Sequence, residues 1–173
     1  MELLLRLLPL AFLVLIPTTD ARAQSVERIE IVEWGIYRTD NVGDIPSPLS
    51  PSGMRYIAAN IRHQQTTTTI PALVGLTFGF RYKVVASSPG ASLNLKCVIR
   101  FPRQGLTNPA KAKTFFIEES DSPAVAEGIR FDGYTLDYDW EVETGPWTVE
   151  IWHEGRKLAE KTFIVTRLVS SAE

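Results

Sequence analysis

The chain has 173 residues, 45% of them hydrophobic and 22% charged, with 18 Lys and Arg set against 20 Asp and Glu. That near balance, with no basic stripe, offers little to neutralise a phosphate backbone and argues against nucleic acid as a partner. A chain of this size buries enough surface to fold as one domain without a metal or disulfide staple, and its one cysteine, Cys97, has no internal partner for a bridge.

The first 23 residues, MELLLRLLPLAFLVLIPTTDARA, place Arg6 in an apolar run that ends near Ile16, with Ala21 and Ala23 on either side of Arg22. This small-x-small pattern predicts a signal peptide over 1–23, cut after Ala23, and a periplasmic or secreted address. The run is shorter than the ~20 apolar residues of a membrane span, and no cysteine follows the small residues to carry a lipid. The expected mature chain therefore has no membrane anchor, one domain over 24–168 and a flexible tail over 169–173.

VERIEIVEWGIY, from Val26 to Tyr37, alternates Ile29 and Ile31 with charges and then changes parity at Val32, Trp34 and Ile36. One extra residue resets a strand in that way, so the pattern predicts a bulge near Val32. RTDNVGDIPSPLSPSG, rich in Pro, Gly, Asx and Ser, reads as a long loop. MRYIAANIRHQQ reads as a strand followed by a polar hinge at Asn60, and Thr66 to Thr69 favour extended structure. LTFGFRYKVV places Leu76, Phe78, Phe80, Tyr82 and Val84 on one parity; SLNLKCVIRF does the same with Leu93, Leu95, Cys97, Ile99 and Phe101. Ser87–Gly90 between them predicts a hairpin. Thr114–Glu119 is a further short strand. SDSPAVAEG has room for a single helical turn, capped by Ser122 with Pro123 at its first position. In GYTLDYDW, Tyr134, Leu136, Tyr138 and Trp140 share a face opposite Thr135, Asp137 and Asp139. The chain closes on two strands, Trp147–Trp152 and Leu158–Val165, joined by a turn at His153–Gly155.

Seven or eight short strands without a long amphipathic helix predict an all-β, two-sheet antiparallel β-sandwich, with a barrel as its rival. TTTIPALVGLTFGFRYKV, TNPAKAKTF and GPWTVEIWHEGRKLAEKTF together resemble a family of bacterial secreted domains, the domain of unknown function DUF3859, from Gly35 to Val165. The resemblance implies export in Gram-negative bacteria and an immunoglobulin-like sandwich. It implies no reaction, and the matching positions Gly75, Phe78, Gly79, Gly145, Trp147 and Gly155 read as structural. EESDSPAVAEG is the least family-like stretch.

Catalytic signatures are scarce. The two histidines, His63 and His153, lack zinc-site spacing, and no nucleophile elbow or phosphate loop is present. Cys97 falls in an apolar parity and reads as a core thiol. No cofactor is expected. Asp137, Asp139, Glu141 and Glu143 share one parity, which in a regular strand sets neighbours roughly 6.8 Å apart. A solvated strand face explains this spacing best, ahead of weak cation binding or glycosidase-type acid pairs.

Trp147 shares its face with Val149 and Ile151 and belongs in the core. Trp152 has the opposite parity, which points it outward unless the Asp40–Gly53 loop covers it. Trp152, His153, Trp34, Asp137 and Asp139 form the candidate interaction surface. Two functions compete on this pattern: a non-catalytic interaction or structural module binding an envelope protein, and a carbohydrate-binding or glycan-processing domain centred on Trp152.

Overall fold

The computed structural model describes residues Val26–Arg167; the expected signal peptide over 1–23 and tail over 169–173 lie outside the described residues. The elements in chain order are β1 (Val26–Pro46), β2 (Met54–Gln65), β3 (Thr69–Pro71), β4 (Thr77–Ala86), β5 (Ser92–Arg100), β6 (Leu106–Asn108), β7 (Lys113–Phe115), β8 (Ile117–Val125), β9 (Ile129–Thr135), a single 3-10 turn (Asp139–Glu141), β10 (Gly145–His153) and β11 (Arg156–Thr166). The described chain is thus all-β. Its three-residue strands β3, β6 and β7 raise the count above the expected seven or eight, because so short a strand holds too little alternation to be read.

Two main layers form: a four-stranded sheet in the order β2-β1-β4-β9 and a five-stranded sheet in the order β3-β11-β10-β5-β8, with β6 and β7 as a separate ribbon. All pairings are antiparallel except β3 with β11, which is parallel. The sandwich core lies where the alternation predicts it. From β4, Phe78, Phe80, Tyr82 and Val84 are fully buried; from the other sheet come Leu95, Cys97, Trp147, Val149, Ile151 and Phe163. Phe78 meets Trp147 edge-on with ring centroids 5.7 Å apart and Phe163 at 5.3 Å. Each large side chain of this kind stabilises the fold by about 1.5–3 kcal/mol when removed from water.

The bulge sits at Val32, where the β1–β4 register shifts between Ile31 and Glu33 and Val32 is left exposed. Trp34 and Ile36 therefore pair with Phe80 and Phe78 and pack against the same core as Ile29 and Ile31.

Four local expectations are corrected. Ser87–Gly90 does not close a hairpin: β4 pairs with β1 and β9, β5 with β10 and β8, so this turn carries the chain from one sheet to the other. SDSPAVAEG is not helical; Ser120–Val125 belong to β8, whose only partner among the described residues is β5, and an edge strand tolerates Pro123 because its missing N–H faces no ladder. Asp40–Pro46 is not loop but the outer half of β1, paired with Met54–Ala59 of β2. GYTLDYDW is strand only to Thr135; Asp139–Glu141 turn into the 3-10 segment.

The outer halves of β1 and β2 form an arm. Beyond Tyr37, β1 has no partner in β4, and its pairing with β2 breaks register between Ile36 and Tyr37, Arg38 and Asp40, and Asn41 and Asp44. Asn60 adds a left-handed residue at φ 49°. Repeated irregularities of this kind bend and twist a ribbon. The bent arm lands on the opposite layer and on the β6–β7 ribbon: Ser50 Oγ donates to Glu118 Oε2 (3.3 Å), Arg55 to the Asp121 carbonyl (3.1 Å) and Asn108 Nδ2 of β6 to the Pro51 carbonyl (2.9 Å).

Gly35, Gly79 and Gly133 stand opposite one another across β1, β4 and β9. A Cβ on Gly79 would lie 2.3 Å from the Asp132 carbonyl oxygen, and one on Gly133 would lie 2.2 Å from that of Phe78. Backbone cannot yield as a flexible side chain does. Gly79→Ala is expected to destabilise the domain by roughly 1–3 kcal/mol or more, at the level of other overpacked sites. Equilibrium urea unfolding measures this, and an unchanged midpoint would contradict the close approach.

Candidate functional site

The residues picked out from sequence do not converge. Trp152 is half-buried on the five-stranded sheet, and its indole Nε1 donates to Glu150 Oε2 at 2.8 Å. Glu150 is itself buried beneath Arg100 (2.9 Å) and Lys157 (3.4 Å). Burial raises its carboxyl, but hydrogen bonds from Arg100 and Trp152 outweigh that and hold it below the ordinary glutamate value. Trp152 thus acts as a lid on an ion pair, with its polar edge already used. His153, at the end of the same strand, sets Nδ1 3.2 Å from the Asn94 carbonyl, while its Nε2 is buried without a partner. Trp34 faces inward, with Lys161 Nζ 3.8 Å above its ring. Asp139 is exposed at the start of the 3-10 turn.

The acidic parity from Asp137 to Glu143 is not a solvated strand face, because the strand ends before it. Glu141 turns inside and is 2% exposed. Its Oε2 accepts from the backbone N–H groups of Asp137 (2.8 Å) and Tyr138 (3.3 Å), and its Oε1 accepts from the Tyr134 hydroxyl (3.0 Å). Among the described residues no three His, Cys, Asp or Glu side chains are placed to hold a metal ion.

One large concavity does form, a cleft of about 1020 Å³ at the side of the sandwich. Every residue of β9 lines it, the arm supplies Arg55, Tyr56 and Ile61 among others, and β8 supplies Glu118, Ser120 and Asp121. Of the five residues of the expected interaction surface, only Asp137 belongs to it. The arm creates this cleft by crossing from one sheet to the other beside β9. Sequence reading missed it because Asp40–Pro46 resembled a loop.

The cleft holds two kinds of carboxylate. Asp132 is held through one oxygen by two donors: its Oδ2 accepts from Tyr82 Oη (2.7 Å) and Ser122 Oγ (2.6 Å), while Ser122 Oγ accepts from Arg130 Nε (2.6 Å). Glu118 differs. It is 7% exposed, Ser50 holds Oε2, and no hydrogen bond reaches Oε1. Burial pushes its carboxyl up to about 7, with Glu141 adding to the rise and Ser50 and Arg55 opposing it. Asp137 is also pushed up to about 7, first by burial and then by Glu141 and Asp44. Cys97 lines the cleft as well, but burial raises its thiol well above the ordinary range, so it is a poor nucleophile.

β9 is an edge strand. Leu136 N–H donates to the Leu76 carbonyl and Val84 N–H to the Gly128 carbonyl, which fixes the even-numbered residues as those bonded to β4. By the two-residue alternation, the backbone N–H and C=O groups of Ile129, Phe131, Gly133 and Thr135 face the other way, along the open edge. Among the described residues no strand pairs with that edge.

Because Glu118 is raised in the folded state, the folded domain keeps a proton that the unfolded chain releases earlier. Stability from this group is complete below about pH 4 and is lost as pH rises to about 7. Glu118→Gln is expected to match the wild type near pH 4 and to exceed it at pH 8 by up to about 3 kcal/mol. Urea midpoints across that range test this; parallel pH profiles for the two proteins would contradict it.

The model of the family described as domain of unknown function DUF3859 matches residues 25–165. No curated protein matches the chain. Among solved structures, an immunoglobulin-like protein from Pseudomonas aeruginosa is similar, with 23% sequence identity and a TM-score of 0.58, covering 85% of this chain and all (100%) of its own. That likeness concerns the fold alone.

Proposed function

The chain belongs to the DUF3859 family, whose activity is not assigned, and from that premise we propose that it is a non-catalytic interaction module of the bacterial cell envelope. The observation that carries this reading is the open edge of β9 inside the arm-roofed cleft. An unpaired strand edge is a row of backbone donors and acceptors ready for another chain, and proteins usually blunt or cover such edges unless they use them. Here the arm shelters the edge without pairing to it.

The site chemistry favours binding over turnover. Glu141 has both oxygens hydrogen-bonded, Asp132 has Oδ2 held by two hydroxyls, and the Cys97 thiol is held protonated. The leader-like sequence over 1–23 supports an envelope address in this reading. The carbohydrate reading needs an open Trp152 ring face, and it is less favoured because that residue is half-buried and lies outside the cleft.

Photo-cross-linking from the cleft tests the module reading. A benzoylphenylalanine at Ile129, exposed at the start of β9, is expected to give a discrete protein adduct in envelope extract. The same group at Thr162, exposed on β11, serves as the control and is expected to give none. Equal labelling from both positions, or none from Ile129, would overturn the reading. Shifts of the Trp152 indole signal with cell-wall oligosaccharides would revive the sugar alternative.

A further inference from the structure

The partner's chemistry is written in the charge of the cleft. Three of its carboxylates, Glu118, Asp137 and Glu141, gather just past the Thr135 end of β9, close enough that Glu141 raises the proton affinity of both others. None of the three forms an ion pair among the described residues, whereas Asp132, in the middle of β9, sits 3.6 Å from Arg130. Arg55 is near Glu118 but spends a guanidinium hydrogen on the Asp121 carbonyl. Glu118 Oε1 accepts no hydrogen bond within the protein and stays reachable by solvent. One buried polar atom along the cleft has no partner: the Tyr37 hydroxyl, in a residue 3% exposed whose ring lies 4.6 Å from Phe131. Buried polar atoms without partners are rare in native proteins and mark places where something else completes the bonding.

Taking the module reading as given, we infer that the cleft accepts an extended polypeptide segment as an added strand on β9, with a lysine or arginine of that segment seated against Glu118 and Asp137. The seven residues of β9 provide roughly 20 Å of edge. Strand addition uses the outward N–H and C=O groups of Phe131, Gly133 and Thr135 for affinity, while alternate side chains of the guest supply specificity. A cationic side chain is the complement of a cleft end where three carboxylates face one nearby cation, Arg55. An acidic guest would place like charges together out of water, which disfavours it strongly. The Ser120 hydroxyl of the cleft wall remains available to a guest without changing this sign.

Two capped heptapeptides test the inference, one alternating threonine with lysine and one alternating threonine with glutamate. Each is titrated into the folded domain, with affinity read by calorimetry and amide hydrogen exchange read by NMR. The lysine peptide is expected to bind at least roughly tenfold tighter than the glutamate peptide. It is also expected to slow exchange at Phe131, Gly133 and Thr135 while leaving amides of β11 unchanged. In Glu118→Gln combined with Asp137→Asn, the preference for lysine is expected to fall to within about threefold, with the exchange protection at saturation retained. Equal or inverted preference in the wild type, with those amides still protected, would overturn the cationic assignment and leave the interaction module standing. Unprotected β9 amides with both peptides would overturn strand addition, and the β9 reading with it.

Discussion

Packing of the Phe78–Phe80–Tyr82–Val84 row against Leu95, Val149 and Ile151 is the constraint on which every other feature rests. It sets the two sheets face to face, and the order of strands within them leaves β9 at one edge and β8 at the corresponding edge of the other layer. The apolar contact is non-directional, so it needs help to hold one arrangement. Buried polar groups supply that help. Tyr82, a core ring by its body, reaches Asp132 and Ser122 with its hydroxyl and ties the two edges together at one point. Trp147 does likewise, giving its indole N–H to the Glu143 carbonyl at 2.9 Å.

Much of this core was legible in sequence, because burial of one strand face imposes a period of two that local composition cannot disguise. Phe80, Leu95, Cys97, Trp147 and Val149 are all where alternation places them. The bulge at Val32 was legible for the same reason, as a single lost beat. Pairing was not legible. A short turn between two one-sided strands looks identical whether the strands lie side by side or face each other across the core, so the Ser87–Gly90 link was read as a hairpin although it joins the layers.

The cleft was largely hidden in sequence for a different reason. Asp40–Pro46 has the composition of a loop, yet Asn41 organises it locally by accepting from Gly43 N–H (2.9 Å) and donating to Asp44 (2.8 Å), within a ladder to β2. Polar and glycine-rich sequence here encodes a bent ribbon. The parity of Asp137 and Asp139 likewise carried no information once the chain left the strand, since Glu141 lies inside and its neighbours are on a turn. Trp152 pointed away from the core as expected, but no pattern of spacing announces that a neighbouring glutamate will claim its N–H. Resemblance to a family of unknown function reached the fold and stopped short of the site.

The crossing at Ser87–Gly90 has a kinetic corollary. The four-stranded layer draws on β1, β2, β4 and β9 and the other on β3, β5, β8, β10 and β11, so the chain alternates between layers from end to end. Neither layer can be completed by a continuous fragment, and β11, the C-terminal strand among the described residues, is the one that joins β3 to β10. Assembly must therefore wait for distant segments to meet, which places this domain among slow folders of high contact order. A nascent chain would stay open, with its oily rows uncovered, until β11 had emerged.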